Sequence, residues 1–170
     1  MKKWPMILLF ACSLCAVVII RFNLFFNIRT DSMPIGIYRQ VNDKAHVGSL
    51  VATCLTEKIA QYGLERGYLM KGKCATGIQP VLKKIYAVEG DYVSIGDGRV
   101  SINGEVYYEL PVLSTDSKGR AVKQFGHKEY YLKSKEYFLL SDYKDNSWDS
   151  RYWGSVPVDY VVKPLVVLDE

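Results

Sequence analysis

Two groups in this chain are placed where they could do chemistry, a hydroxyl and an amine. The hydroxyl is that of Ser32, in the stretch TDSMPIGIYR from Thr30 to Arg39. Pro34 fixes its own φ and biases Met33 toward an extended shape. Gly36 permits a close backbone approach. This keeps Ser32 out of a helix and leaves its N–H able to point at a substrate oxygen. Thr30 lies two residues upstream, on the same face of an extended chain, so both hydroxyls can look into one cleft. Taken alone, these residues also describe an ordinary exposed turn.

The amine belongs to VLKKIYAVEGD, which sets Lys83 and Lys84 inside an otherwise apolar strand. A free lysine has a pKa of about 10.4, so at pH 7 fewer than roughly one in a thousand is neutral. Desolvation among apolar neighbours disfavours the ammonium form. Lowering the pKa by about two to three units takes roughly 3–4 kcal/mol, which strand burial can supply. Adjacent strand residues point to opposite faces. Val81, Ile85 and Ala87 share the face of Lys83, and Leu82, Tyr86 and Val88 that of Lys84. Periodicity does not choose between the two.

A third stretch, SDYKDNSWDSRYWG, is too polar for a strand and too aromatic for a plain loop. Asp149 and Arg151 can form a bracing ion pair, and Ser147 can hydrogen-bond a lysine. An exposed polar turn is the alternative. Serine paired with lysine is a known variant of triad chemistry. The two histidines, His46 and His127, lack recognisable surroundings. There is no H-E-x-x-H, no Cys/His cluster and no glycine-rich phosphate loop, so neither a metal nor a cofactor is expected.

The elements that must position these groups read as short β-rich runs between turn signals. They are GIYRQV, GSLVATCL, VLKKIYAV, DYVSIG, RVSING, EVYYEL, EYYLKSKEYFLL and YVVKPLVVL. Asn103-Gly104 is a hairpin signal, and Gly96-Asp97-Gly98 and Ser117-Lys118-Gly119 mark further turns. One segment departs from this pattern. Thr56 to Tyr68 opens on a possible cap, has Ile59 and Leu64 at roughly helical spacing, and stops at Gly67. The expected soluble part, 27–170, is a single mainly-β domain with a short helical excursion.

Ahead of it, residues 1–26 carry Lys2 and Lys3, then an uncharged apolar run from Trp4 to Ile20 that Leu-Phe-Phe extends to Phe26. The run is longer than a signal-peptide core and lacks a small-x-small cleavage site. It meets the length of a spanning helix and reads as an uncleaved, single-pass anchor with a cytoplasmic N-terminus. Cys12 and Cys15 lie within it and behave as small hydrophobes. Cys54 and Cys74 flank the helical excursion, and outside the cytoplasm a disulfide between them is allowed. Over the 170 residues the net charge is only +4, with no run of lysine or arginine. A nucleic-acid partner is not indicated.

The segments SMP, LKKIYAVEGD and DNSWDSRYWG, in this order, resemble the type I signal peptidase family of membrane-anchored serine proteases. The last of them is the most specific. Within that family SMPIGIY, the short chain, the single anchor and the Cys54–Cys74 excursion look like the conjugative-transfer, TraF-type branch. Departures from general leader peptidases are the early Pro34, one anchor rather than two, and Ser141-Asp142-Tyr143-Lys144 before Asp145. Glu89 also stands where many members have proline.

The resemblance implies a signal-peptidase-like β domain with Ser32 as nucleophile and Lys83 as general base. The Thr30 hydroxyl and the Ser32 N–H would be oxyanion donors, and Ser147, Asp149 and Arg151 a supporting shell. It implies a precursor protein as substrate, a pilin or another signal-bearing chain, with cyclisation of the product as one outcome. It implies a bacterial inner-membrane location with the domain on the periplasmic face and the lipid bilayer as a partner. A general leader peptidase, and a non-catalytic component of a pilus or secretion assembly, are the two other readings.

Overall fold

The computed structural model describes residues 4–22, 24–27 and 32–167. In chain order the elements are α1 (Trp4–Phe22), β1 (Leu24–Asn27), β2 (Gly36–Gln40), β3 (Leu50–Thr53), α2 (Glu57–Arg66), β4 (Val81–Ala87), β5 (Tyr92–Gly96), β6 (Arg99–Ile102), β7 (Glu105–Tyr107), β8 (Glu129–Tyr131), β9 (Glu136–Leu140), α3 (Ser150–Trp153), β10 (Val156–Pro157) and β11 (Val161–Val167). Among the described residues the strands make two antiparallel sheets. One has seven strands in the order β1-β2-β11-β3-β4-β9-β10, the other four in the order β7-β6-β5-β8. The expected mainly-β architecture is present.

Strand β9 joins the two halves. Its EYFLL run is apolar without alternation, as in a strand covered on both faces. Leu139 packs with Val51, Leu55 and Ile85 in one core. Phe138 and Leu140 pack with Val93, Ile95, Val100 and Ile102 in the other. The β4–β9 register breaks between Ile85 and Ala87. This bulge re-aims the strand, so that Ile85 serves the first core and Ala87 the second. The run EYYLKSKEYFLL is split at Lys135, whose φ is +61°. Its two halves, β8 and β9, end in different sheets. Asn103-Gly104 connects β6 to β7 with φ of 52° and 86°, the two-residue hairpin turn that its sequence announces.

The helical excursion between β3 and β4 is α2. Gly67 ends it in the left-handed region at φ 74°, and the Tyr68 N–H returns to the Gly63 carbonyl at 2.8 Å, a glycine-terminated helix end. Thr56 sits at the N-cap without a side-chain cap bond. Gly63 has no room for a side chain, because a Cβ would meet Leu69 at 2.5 Å and Trp148 at 2.7 Å. That close approach presses α2 onto the segment before α3. A disulfide joins Cys54 to Cys74, with Cα atoms 5.8 Å apart, and closes the excursion at its base.

Helix α1 runs 19 residues, about 28 Å at 1.5 Å per residue. Trp4, Met6, Ile7, Leu8, Leu9 and Phe10 are exposed along it. Among the described residues no helix is long and apolar enough to cross a membrane, so the expected spanning helix is not shown. The expected anchor extends to Phe26, whereas α1 stops at Phe22 and Leu24–Asn27 form β1. That strand pairs with β2 from Leu24↔Arg39 to Asn27↔Gly36. Leu-Phe-Phe suits a strand as well as a helix, and the hydrogen-bond partners waiting on β2 decide.

Candidate active site

Strand β4 settles which lysine is inside. Lys83, Ile85 and Ala87 are buried, while Leu82, Lys84 and Tyr86 are only partly so. Lys83 is 3% exposed and lies opposite Val51 of β3. Its Nζ donates to Ser147 Oγ at 3.0 Å. Lys84 points the other way and pairs with Asp142 at 2.9 Å, both side chains 36% exposed. The Tyr86 hydroxyl donates to the same carboxylate oxygen at 2.9 Å. Burial would raise the Asp142 carboxyl, but the bonds from Lys84 and Tyr86 outweigh it and hold the group below its ordinary range.

Ser147 is held by the motif that follows it. Arg151 is 1% exposed and meets Asp149 in a bidentate pair, Nε to Oδ1 and Nη2 to Oδ2, both 2.8 Å. The remaining guanidinium hydrogens donate to the carbonyls of Ser147 at 2.9 Å, Pro111 at 2.8 Å and Asp145 at 3.0 Å. Burial works against the guanidinium charge, and the Asp149 carboxylate more than restores it, so the Arg151 pKa is raised. Asp149 Oδ2 also accepts the Ser141 N–H at 3.1 Å, and Ser150 Oγ accepts the Leu139 N–H at 3.0 Å. The alternative of an exposed polar turn does not hold for Ser147 and Asp149 to Gly154, which are buried and docked on the end of β9.

Ser32 opens the stretch that leads into β2. Three consecutive carbonyls there are pinned. That of Ser32 accepts the Ser141 hydroxyl. Those of Met33 and Pro34 accept the Asn27 side-chain amide at 3.1 and 2.9 Å. The Pro34 carbonyl also accepts the Tyr38 hydroxyl at 2.5 Å. Asn27 from β1, Tyr38 from β2 and Ser141 after β9 thus hold this segment, and sequence reasoning assigned none of them a role. In the sequence Asn27 is the first residue after the expected anchor, Tyr38 is one strand aromatic among several, and Ser141 is only a departure from a family pattern. Thr30 lies outside the described residues.

Ser32, Lys83 and Ser147 line one cleft of about 440 Å³, together with Tyr68, Met70 and Trp148. One wall is the disulfide-closed excursion. It is tied to the turn around Asp116 by the Tyr68 hydroxyl, which donates to Asp116 Oδ2 at 2.7 Å. Burial and that bond push the Tyr68 hydroxyl up to about 12. His46 and His127 are exposed and line no part of the cleft. Among the described residues no group of His, Cys, Asp and Glu could hold a metal ion. A hydroxyl, a buried amine and a hydrogen-bonded shell around the amine are the elements of nucleophilic catalysis with a lysine base.

The family model for signal peptidase, peptidase S26, matches residues 1–167 of this chain. The chain belongs to the signal peptidase family, peptidase S26. It is 30% identical over 141 residues to the plasmid transfer protein TraF of Escherichia coli, covering 81% of this chain and 80% of that protein. It is 34% identical over 132 residues to the conjugal transfer protein TraF of Agrobacterium tumefaciens (strain 15955), covering 75% and 72%. The thylakoidal processing peptidase 1 of Arabidopsis thaliana is 31% identical over 81 residues, 48% of this chain and 22% of that protein. A crystal structure of a signal peptidase I from Enterococcus faecalis V583 aligns with a TM-score of 0.41 at 20% identity, over 73% of this chain and 98% of that one. The family match and the TraF relatives bear out the resemblance read from SMP, LKKIYAVEGD and DNSWDSRYWG.

Proposed function

We propose that this signal peptidase family member is a serine endopeptidase that cuts a signal-bearing precursor, a pilin in a conjugative transfer system, with Ser32 as nucleophile and Lys83 as base. The observation that carries the reading is the buried Lys83 amine, bonded to Ser147 and lining the same cleft as Ser32. The TraF relatives supply the transfer context. The exposed apolar side chains of α1 support a seat at a membrane, where a signal-bearing precursor would also lie.

Burial disfavours the ammonium form of Lys83. The neutral amine takes the Ser32 Oγ proton as the oxygen attacks the carbonyl carbon of the scissile bond. The Ser32 N–H and the Thr30 hydroxyl meet the oxyanion, and loss of one such donor costs about 2.7–4 kcal/mol in the barrier. The C–N bond then breaks, and the leaving amine takes the proton back from Lys83. The acyl-enzyme is released by water, or by a substrate amine in the case of cyclisation. Ser147 positions the amine throughout, and the Arg151–Asp149 pair positions Ser147.

The test is co-expression with the pilin precursor of the cognate transfer system, read by immunoblot and by mass of the product. Ser32→Ala should leave the precursor at full length while the protein keeps its native circular dichroism. Processing by that variant at the native rate would sink the mechanism.

A further inference from the structure

The disulfide-closed excursion and the turn packed on it concentrate the positive charge of the molecule. Between Cys54 and Cys74 stand Lys58, Arg66, Lys71 and Lys73 against Glu57 and Glu65, and between 114 and 128 stand Lys118, Arg120, Lys123 and Lys128 against Asp116. The two segments hold eight of the chain's 22 lysines and arginines but three of its 18 acids. The rest of the chain, with 14 basic and 15 acidic residues, is close to neutral. The segments form one lobe. Arg120 Nη2 donates to the Arg66 carbonyl at 2.9 Å, and Arg66 Nη1 to the Ala121 carbonyl at 3.2 Å.

The acids in the lobe do not cancel its field. Asp116 is engaged by Arg120 at 2.7 Å and by Arg66 at 4.0 Å, and with Glu57 and Glu65 it leaves eight basic residues facing only three acids. Among the described residues no carboxylate lies within 4.0 Å of Lys71, Lys73, Lys118 or Lys123, and all four are exposed. Several cations rest on rings: Lys123 at 5.1 Å from the Phe125 centroid, Arg66 at 5.0 Å from Tyr62 and Arg120 at 5.8 Å from Tyr68. Such contacts hold the charges in place over an aromatic floor.

This lobe is continuous with the cleft. Tyr68, Met70, Asp116 and Ser117 line the cleft, as does Lys144. Lys71 and Lys118 are the next residues outward from Met70 and Ser117. We infer that the lobe binds an acidic stretch of the polypeptide whose scissile bond lies at Ser32. Clefts rimmed by one sign of charge concentrate the opposite sign. An anionic lipid surface is the less favoured occupant. The excursion half of the lobe sits in the β3–β4 connection, whereas α1 joins the sheet at the β1 edge, roughly 15–20 Å away at the spacing of adjacent strands. That this polypeptide is cut at Ser32 rests on the peptidase reading; the binding itself does not.

Fluorescence anisotropy of fluorescein-labelled decaglutamate, added to the full chain in neutral detergent micelles, tests it. Combined Lys71→Glu, Lys73→Glu, Lys118→Glu and Lys123→Glu should weaken binding at least about tenfold. Combined Lys44→Glu, Lys133→Glu and Lys135→Glu, exposed positions outside the lobe, should stay within about twofold, and salt should weaken the native complex. Absence of decaglutamate binding, or equal loss in both variants, overturns the inference. So does a lobe variant that instead loses binding to phosphatidylglycerol vesicles while decaglutamate never binds. Failure of the peptidase reading looks different: Ser32→Ala would still process precursor while the lobe still bound decaglutamate.

Discussion

Replacing Arg151 by methionine keeps much of the side-chain volume and removes the charge. In the native chain Arg151 and Asp149 have no solvent exposure of their side chains. The substitution therefore strands a buried carboxylate, to which, among the described residues, only the backbone N–H groups of Ser141 and of position 151 still donate. It also takes a donor from the carbonyls of Ser147, Pro111 and Asp145. Removing one partner of a buried pair costs about 3–5 kcal/mol, against a total stability of about 5–15 kcal/mol for a domain. Urea unfolding of the full chain in micelles, followed by circular dichroism and tryptophan emission, measures the loss. Trp148 and Trp153, within the motif and with ring centroids 6.3 Å apart, report locally. Asp149→Leu/Arg151→Met removes both charges, and its cost should fall short of the sum of the single variants by about 1–3 kcal/mol. A loss under about 1 kcal/mol for Arg151→Met, or additivity within about 0.5 kcal/mol, would refute the claim that this pair organises the site.

The two lysines of β4 should separate by assay. Lys83→Ala should lower precursor processing by roughly the 10²–10⁴-fold typical of a lost general base, while Lys84→Ala, losing a half-exposed ion pair, should cost about 1 kcal/mol of stability or less. If Lys84→Ala is inactive and Lys83→Ala is near normal, the base is misassigned. Cys54→Ala/Cys74→Ala opens a loop with a sequence separation of 20 and should cost roughly 3 kcal/mol in urea unfolding; unchanged stability would count against the disulfide as the clamp of the excursion. Burial alone would raise the Asp116 carboxyl, but bonds from Arg120, Tyr68 and backbone N–H groups hold it well below the usual range. Its contribution to stability is thus present above about pH 4, the unfolded value, and is lost as pH falls through the lower folded value. Asp116→Asn should flatten the acid limb of a stability–pH curve below about pH 4, and an unchanged limb would contradict this assignment.

Much of the β architecture is legible because its signals are local. Val, Ile, Tyr and Phe runs, Asn103-Gly104 and the Gly67 helix stop each act within a few residues. The Cys54–Cys74 bond is one that their place on either side of the excursion allows. What stays hidden depends on distant partners. Lys83 and Lys84 are equivalent in local pattern, and only pairing with β3 and β9 makes one face the inner one. The split of EYYLKSKEYFLL needs the second sheet. Ser141 acts on a carbonyl 109 residues away, and Asn27 on carbonyls across the turn into β2. A side chain that serves another segment's backbone leaves no periodicity and no spacing by which to find it.

Those hidden contacts explain how two groups 51 positions apart in the chain can share one cleft. Arg151 donates to the Ser147 carbonyl, and Ser147 Oγ receives the Lys83 amine. Asp149 accepts the Ser141 N–H, and the Ser141 hydroxyl holds the Ser32 carbonyl. One buried ion pair thus reaches the proposed base along one arm and the proposed nucleophile along the other. A buried pair is rarely the cheapest way to stabilise a core, so its value here lies in geometry: apolar side chains of equal volume could fill the same space but could not hold both arms in register. Loss of the pair should therefore disturb the relation between Ser32 and Lys83 even in a variant that still folds.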